Sequence, residues 1–482
     1  MVIRARGGRL QTVSYLDKKC DPLTYPLLFP NGDDGWHPHL EKQTNRTRTR
    51  TRVTQKEFYS YLLFPRANIF NPLLYAGKLF QQYAVDSWLK IEMNRLKYYK
   101  QNQSQLRLDT VQGLRDYIVG DADHSGPPGR RIILGSSFAG GPRHMIAEYQ
   151  DAMAIVSKYG KPDIFLTFTC NPRWEEITVN LAPNQIASDR PDIVARVFNL
   201  KVKALCHELF KRKVLGEVSA YIYVIEFQKR GLPHMHMLIT LKDGWKVNTA
   251  AQVDSLICAE LPCPTEDPEL FDIVSKNMIH RPCGLLNPTS PCMKNGRCSK
   301  KFPKPFRTDT SLSVDGYPEY RRRDDGRFVM CRGTGMNNRF VVPYSPYLTR
   351  LFRAHINVEV CALLHVVKYV YKYVYKGSDR ARVRLSRAGD EETVHDEIEN
   401  YIDARYVCAP EAIHRVFGFN MQDRSVSVKR LQIHLPELQP VTFVSGAEQQ
   451  ALDTASGHVT TLTAYFLKNK TCSDLIQLYG QL

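Results

Sequence analysis

The chain has 482 residues, 43% hydrophobic and 10% aromatic, with 66 Lys and Arg against 49 Asp and Glu for a net charge of +17. That apolar content excludes the disordered class, and a prior of about 150 residues per domain makes a single small module a poor fit. No apolar run reaches about 18 residues and no apolar segment follows Met1–Gly8, so neither a membrane span nor a secretory signal is expected, and no membrane is a partner.

An intracellular chain keeps its 12 cysteines mostly reduced, which turns a local Cys cluster into a metal question. The pI near 9.3 favours a polyphosphate partner, nucleic acid first, because counterion release rewards many cations at once. Residues 1–56 read as a basic arm with an aromatic patch from Tyr25 to Phe29, followed by Arg46-Thr47-Arg48-Thr49-Arg50-Thr51-Arg52. As a strand the alternation gives one charged face; as an exposed arm it touches phosphates or stays solvated.

From Lys78 to about Gln103, Leu79, Phe80, Tyr83, Trp88, Ile91 and Leu96 recur near helical spacing and predict a long helix. A second helix is expected over Met145–Tyr159, closed by Gly160 and Pro162, and a buried strand over Asp163–Cys170, bounded by Asn171-Pro172. A third helix runs from Ile193 to about Lys213. Two β runs, Val218–Phe227 and His234 to about Leu241, flank Lys229-Arg230-Gly231-Leu232-Pro233 and predict a hairpin. Strand, helix and hairpin describe an α+β sheet domain, and no internal repeat supports a solenoid.

Two stretches carry chemistry. On a strand, His234 and His236 point to one face while Met235 and Met237 point to the other, so two imidazoles can share a cation. A third ligand can come from the neighbouring run, where Glu226 and Gln228 share a parity; an anionic Glu226 suits Mg²⁺ or Mn²⁺ better than an amide. The plain alternative is a pair of satisfied or surface histidines. Lys368-Tyr369-Val370-Tyr371-Lys372-Tyr373-Val374-Tyr375-Lys376-Gly377, taken as a helix, stacks Tyr369 over Tyr373 and sets Lys368, Lys372 and Lys376 in one ridge. Nearby ammonium groups ease loss of a phenol proton, whereas the plain alternative is an aromatic packing face with snorkelling lysines.

A third cluster comprises His280, Cys283, Cys292 and Cys298 among Pro, Gly and Asn turn residues. Three thiols and an imidazole fit a closed tetrahedral Zn²⁺ site replacing a hydrophobic core; the alternative is four unconnected side chains. Lys300 and Lys301, with Phe302 and Phe306 interleaved, suit single-stranded DNA.

The segments Tyr25–Trp36, Asp163–Trp174, Glu226–His236, His355–Cys361 and Lys368–Gly377 together resemble the N-terminal Rep region of Helitron rolling-circle transposases, of the HUH endonuclease superfamily. The resemblance implies an HUH-type antiparallel sheet with flanking helices, a helical N-terminal region and a small zinc-binding insertion. It implies His234 and His236 as ligands of Mg²⁺ or Mn²⁺. It also implies Tyr369 and Tyr373, each preceded by Lys, as nucleophiles that nick single-stranded DNA at transposon ends through a 5′-phosphotyrosine. Glu226 is the expected third ligand; Arg230, Lys368, Lys372, Lys376, Lys300 and Lys301 are the expected DNA contacts. A catalytically inactive or domesticated nucleic-acid-binding remnant of such an element is the competing expectation, and the resemblance places the protein in the nucleus.

The expected organisation is a basic arm over 1–56, a helical region over 57–144 and a nuclease core over 145–278. A Cys/His insertion over 279–345, a tyrosine-helix segment over 346–420 and a C-terminal segment over 421–482 follow. No Gly-x-x-x-x-Gly-Lys-Ser/Thr is present, so no ATPase or helicase activity is expected here; the helicase that resembled proteins carry in cis finds no room before Leu482.

Overall fold

The computed structural model describes residues 2–4, 7–43, 51–103, 106–110, 114, 130–131, 138, 140–228, 231–312, 318–361, 406–429, 433–435, 438–444, 446–456 and 459–471. Contacts divide the chain into two compact units, residues 1–91 with 152–379 and 406–425, and residues 92–151 with 380–405 and 426–482. The architecture is α+β. Among the described residues no helix is long and apolar enough to cross a membrane.

In the first unit, α1 (Cys20–Thr24), α2 (Gln55–Leu63) and the start of α3 (Lys78–Gln103) precede α4 (Pro142–Tyr159), whose C-terminal half leads into the sheet. Strand β1 (Ile164–Thr169), helix α5 (Pro191–Phe210) and the hairpin β2 (Val218–Phe227) and β3 (Pro233–Leu241) follow. Next come α6 (Ala250–Leu256), α7 (Pro268–Asn277), a short hairpin β4 (Met293–Lys294) and β5 (Arg297–Cys298), and a second, β6 (Phe328–Cys331) and β7 (Thr334–Asn337). The unit closes with α8 (Pro346–Phe352), β8 (Ile356–Val360), α9 (Ala409–Val416) and β9 (Gln422–Arg424).

The central sheet has the order β8-β1-β3-β2-β9, antiparallel at every pairing. Period-2 alternation turns Ile164, Leu166, Phe168, Met235, Met237, Ile239, Ile356 and Val358 to one face, all fully buried. Against that face lies α5. Pro191 opens the helix, where a missing N–H costs nothing, and Asp192 in its first turn takes both Nε and Nη2 of Arg190 at 2.9 Å. The helix ends at Phe210, earlier than the expected Lys213, because the chain turns there and Lys213 takes a left-handed φ of 56°. Phe168 stacks on Phe198 of α5 at 5.6 Å and meets Phe352 edge-on at 5.5 Å, tying sheet, α5 and α8 into one core.

A second apolar cluster joins α2, α3 and α9, and Ala195 brings the back of α5 into it. Tyr25, Leu28 and Phe29, which the sequence groups with an arm, are buried in this cluster. Asp21 anchors it: its carboxylate accepts hydrogen bonds from Tyr59 at 3.1 Å and Tyr83 at 3.2 Å and pairs with Lys90. Of the arginine run, only Thr51 and Arg52 lie among the described residues. The second unit is described by a three-stranded sheet in which Leu106–Thr110 pairs with Arg130–Arg131 on one side and with Pro440–Val444 on the other.

Candidate metal centres and nucleic-acid site

The face of the sheet turned away from α5 carries the histidine pair. In register, Thr169 of β1 lies opposite His234 of β3, which lies opposite Glu226 of β2; one step along, Thr167 lies opposite His236. Directly opposed residues project to the same side, so these five side chains share one surface. The two imidazole centroids are 4.6 Å apart. Thr169 Oγ1 sits 2.6 Å from His234 Nδ1 and Thr167 Oγ1 sits 3.3 Å from His236 Nδ1. Each threonine hydroxyl can donate to, or accept from, the Nδ1 it faces, and either bond fixes the plane of the ring.

Glu226 Oε2 comes within 3.5 Å of His236 Nε2, whereas Gln228 is exposed where β2 has already ended, its N–H bonded to the Leu232 carbonyl at 3.1 Å. Of the two candidate third ligands, the carboxylate is the one brought to the imidazoles. Phe165 packs parallel to His236 at 5.9 Å and walls that side. Burial, followed by the neighbouring His236 and His355, drives the His234 imidazole down to about 3, which keeps the ring in its neutral, ligating form. Met235 and Met237 are fully buried on the opposite side, as their parity requires.

Sequence patterning alone did not single out Thr167, Thr169 or His355. The threonines are legible in retrospect, since Thr167-Phe168-Thr169 repeats the period-2 spacing of His234-Met235-His236. The His355 carbonyl accepts from the Thr169 N–H at 3.0 Å, extending the ladder by one residue and placing His355 in the same row. Among the described residues its buried Nδ1 has no hydrogen-bond partner, and burial lowers the ring to about 4.

The second cluster closes as its spacing suggests. One ligand atom from each of His280, Cys283, Cys292 and Cys298 lies within 4.8 Å of the others, and Cys298 Sγ is 3.6 Å from His280 Nε2. These four form a site able to hold a metal such as zinc, with a soft three-sulfur, one-nitrogen donor set. The β4–β5 hairpin brings Cys292 and Cys298 together through Asn295-Gly296, whose φ values of 49° and 73° make a two-residue turn of the primed kind. Phe302 stacks on His280 at 4.2 Å. Burial, then Lys300 and Lys304, lower the His280 imidazole and favour its neutral form.

The insertion is not coreless, contrary to a pure metal-for-core exchange: Leu261, Leu270, Val274, Met278, Val341 and Tyr344 bury a small cluster beneath it. It docks on the sheet through β8, where Tyr320 Oη accepts the Val360 N–H at 3.0 Å and the Pro343 carbonyl accepts the Val358 N–H at 3.1 Å. Lys300 and Lys301 are exposed on its loop. Arg230, Lys368, Tyr369, Lys372, Tyr373 and Lys376 lie outside the described residues.

Residues 58–239 match the family described as the Helitron helicase-like domain at N-terminus. Over that span the chain carries a Helitron helicase-like N-terminal region, which suggests a transposase-related role. No curated protein matches the sequence.

Proposed function

We propose that the chain is an HUH-type DNA endonuclease and strand transferase, which nicks single-stranded DNA at transposon ends in Helitron-type rolling-circle transposition. The observation that supports this most is the histidine pair on β3, held by threonine hydroxyls from β1 with Glu226 at hand. The donor set fits a divalent cation: two imidazoles on one rigid strand, each held by a threonine hydroxyl, and one carboxylate from the neighbouring strand. When bound there, Mg²⁺ or Mn²⁺ would polarise the scissile phosphate as a Lewis acid.

The chain's own residues do the rest. His234 and His236 present their imidazoles at a fixed spacing, and Glu226 completes the ligand set. Tyr369 and Tyr373 serve in turn as nucleophiles: the phenol oxygen bonds to phosphorus as its proton is lost, the 3′ oxygen leaves and takes up a proton, and the phosphodiester energy is kept in a 5′-phosphotyrosine for later joining. Lys368, Lys372, Lys376, Arg230, Lys300 and Lys301 hold the DNA backbone. Zn²⁺ at the four-ligand cluster is structural, opening of the duplex falls to a helicase that these 482 residues do not supply, and the work is done in the nucleus.

The test is an end-labelled single strand incubated with Mn²⁺. A denaturation-resistant protein–DNA adduct that vanishes in the Tyr369→Phe/Tyr373→Phe double variant supports the enzyme. Binding without any adduct overturns it in favour of a non-catalytic remnant.

A further inference from the structure

A cleft of about 510 Å³ opens between α2 and the C-terminal end of α9, far along the fold from the zinc cluster and used by none of the chemistry above. Its walls combine cations with rings. Tyr61, on the helix that buries Tyr59 and Leu63, and Phe64, which caps its C-terminal end, are 64% and 42% exposed. The Arg66 guanidinium lies 3.9 Å over the Tyr61 ring, and Arg196 of α5 lies 4.4 Å over Phe64. Phe417 meets Phe64 edge-on at 5.9 Å. Lys56 reaches the rim across Gly418, where a Cβ would sit 3.0 Å from its ammonium nitrogen.

Arg66 adds an independent sign of a missing partner. Nη1 donates to the Tyr61 carbonyl at 2.7 Å, and among the described residues the buried Nε has no hydrogen-bond partner, so the guanidinium's remaining N–H groups are the ones that can face a ligand in the cleft. The carboxylate lining the cleft, Glu57, is already engaged by Lys42 at 2.7 Å and by the N-cap Thr54, which leaves the guanidiniums of Arg66 and Arg196 over their rings. An apolar peptide would bury these cations unpaired, whereas a polyphosphate strand pairs with them and offers bases to the rings. The loop after α2 exposes a further stacked pair, Phe70 and Tyr75, 5.1 Å apart.

We infer that the Tyr61–Phe64–Arg66 cleft is a single-stranded nucleic-acid subsite, in which a base stacks on the aromatic–guanidinium layer and its phosphates pair with Lys56 and Arg66. Its position suits a strand already held for nicking. Helix α9 starts with Pro410 packed 3.4 Å from where a Gly231 Cβ would lie, at the turn leading into His234, and ends at Val416 and Phe417 in the cleft. One short helix, about 12 Å at 1.5 Å per residue, separates them. The inference rests on the nuclease proposal only in taking DNA as the ligand.

The experiment measures binding of a fluorescent oligothymidylate to the full chain by anisotropy with no Mn²⁺ added, so nicking cannot enter. Tyr61→Ala should weaken binding roughly 5- to 150-fold and Tyr61→Phe should retain it, the signature of stacking. Arg66→Gln should lower the slope of log affinity against log salt by roughly 0.7, one phosphate contact on a single strand. Wild-type affinity and salt slope in both Tyr61→Ala and Arg66→Gln would overturn the subsite, as would equal losses for single-stranded and duplex probes. Loss of the covalent adduct in the nicking assay with these binding results intact would count against the nuclease alone.

Discussion

The sheet and the Cys/His insertion solve the same problem, positioning polar chemistry, with opposite means. The sheet is held by a continuous apolar core spanning β1, β3, α5 and α8, which leaves part of its far face to carry His234, His236 and Glu226. The insertion buries far less apolar surface and relies on polar joints. Arg322 donates through Nη1 to the carbonyls of Asn338 and Val341 at 2.7 Å and of Ala259 at 3.2 Å, and Glu260 grips Arg323 at 2.7–3.2 Å. On the reading proposed above, a cation would be part of the fold in one region and part of the chemistry in the other.

Metal removal should break that comparison most sharply. Stripping zinc, or replacing Cys292 by Ser, should cost the insertion a binding free energy on the order of 10 kcal/mol and expose residues 280–307 to protease, while the sheet stays folded. Limited proteolysis with metal analysis checks this; finding no bound zinc would refute the module. Phe168→Ala should act the other way. Removing a fully buried ring that joins α5 and α8 to the sheet should cost about 3–5 kcal/mol in urea unfolding, with zinc content unchanged.

How far the sequence carries one toward this structure also differs between the regions. The long helix Lys78–Gln103 and the strand Val218–Phe227 were legible to the residue, because period 3.6 and period 2 are written in their own apolar residues. The start of α2 was passed over although Thr54 and Glu57 spell a capping box, which the structure forms in both directions. Burial of Tyr25, Leu28 and Phe29 was not legible, since it depends on partners in α3 and α9 far along the chain. At the sites, residue type and spacing pointed to His234, His236 and the four zinc-type ligands. Charge alone favoured Glu226 over Gln228, and the 3.5 Å approach to His236 agrees with that preference; the threonine backing needed the β1–β3 register.

A third prediction probes the helical layer behind the sheet. His414 is fully buried, its Nε2 3.1 Å from the Asn420 carbonyl, between Phe227 and Phe419. Burial lowers it from 6.5 to about 4. Between these values the unfolded chain binds the extra proton, so stability should fall as pH drops from 6.5 toward 4 and level off below, by roughly 3 kcal/mol in total. His414→Gln keeps a donor for Asn420 but cannot titrate, and should flatten that stretch of the melting-temperature profile. An unchanged slope would place the titrating group elsewhere.

The smallest effect sharpens the comparison furthest, because it separates chemistry from folding within one strand. Thr169→Val keeps the shape of a side chain on β1 but deletes the hydroxyl 2.6 Å from His234 Nδ1. With that anchor gone the imidazole can rotate and exchange tautomers, so Mn²⁺ affinity at the histidine pair should fall about 10- to 100-fold, the range for lost outer-shell partners. Thr167→Val should do less, its contact with His236 being longer at 3.3 Å. Neither change opens a cavity in the apolar core on the other face, so urea midpoints should stay close to wild type. Calorimetric Mn²⁺ titration of zinc-loaded protein, set beside those midpoints, decides the matter. Equal affinity in Thr169→Val and wild type would mean that the hydroxyl orients nothing and the histidine pair is ordinary strand packing.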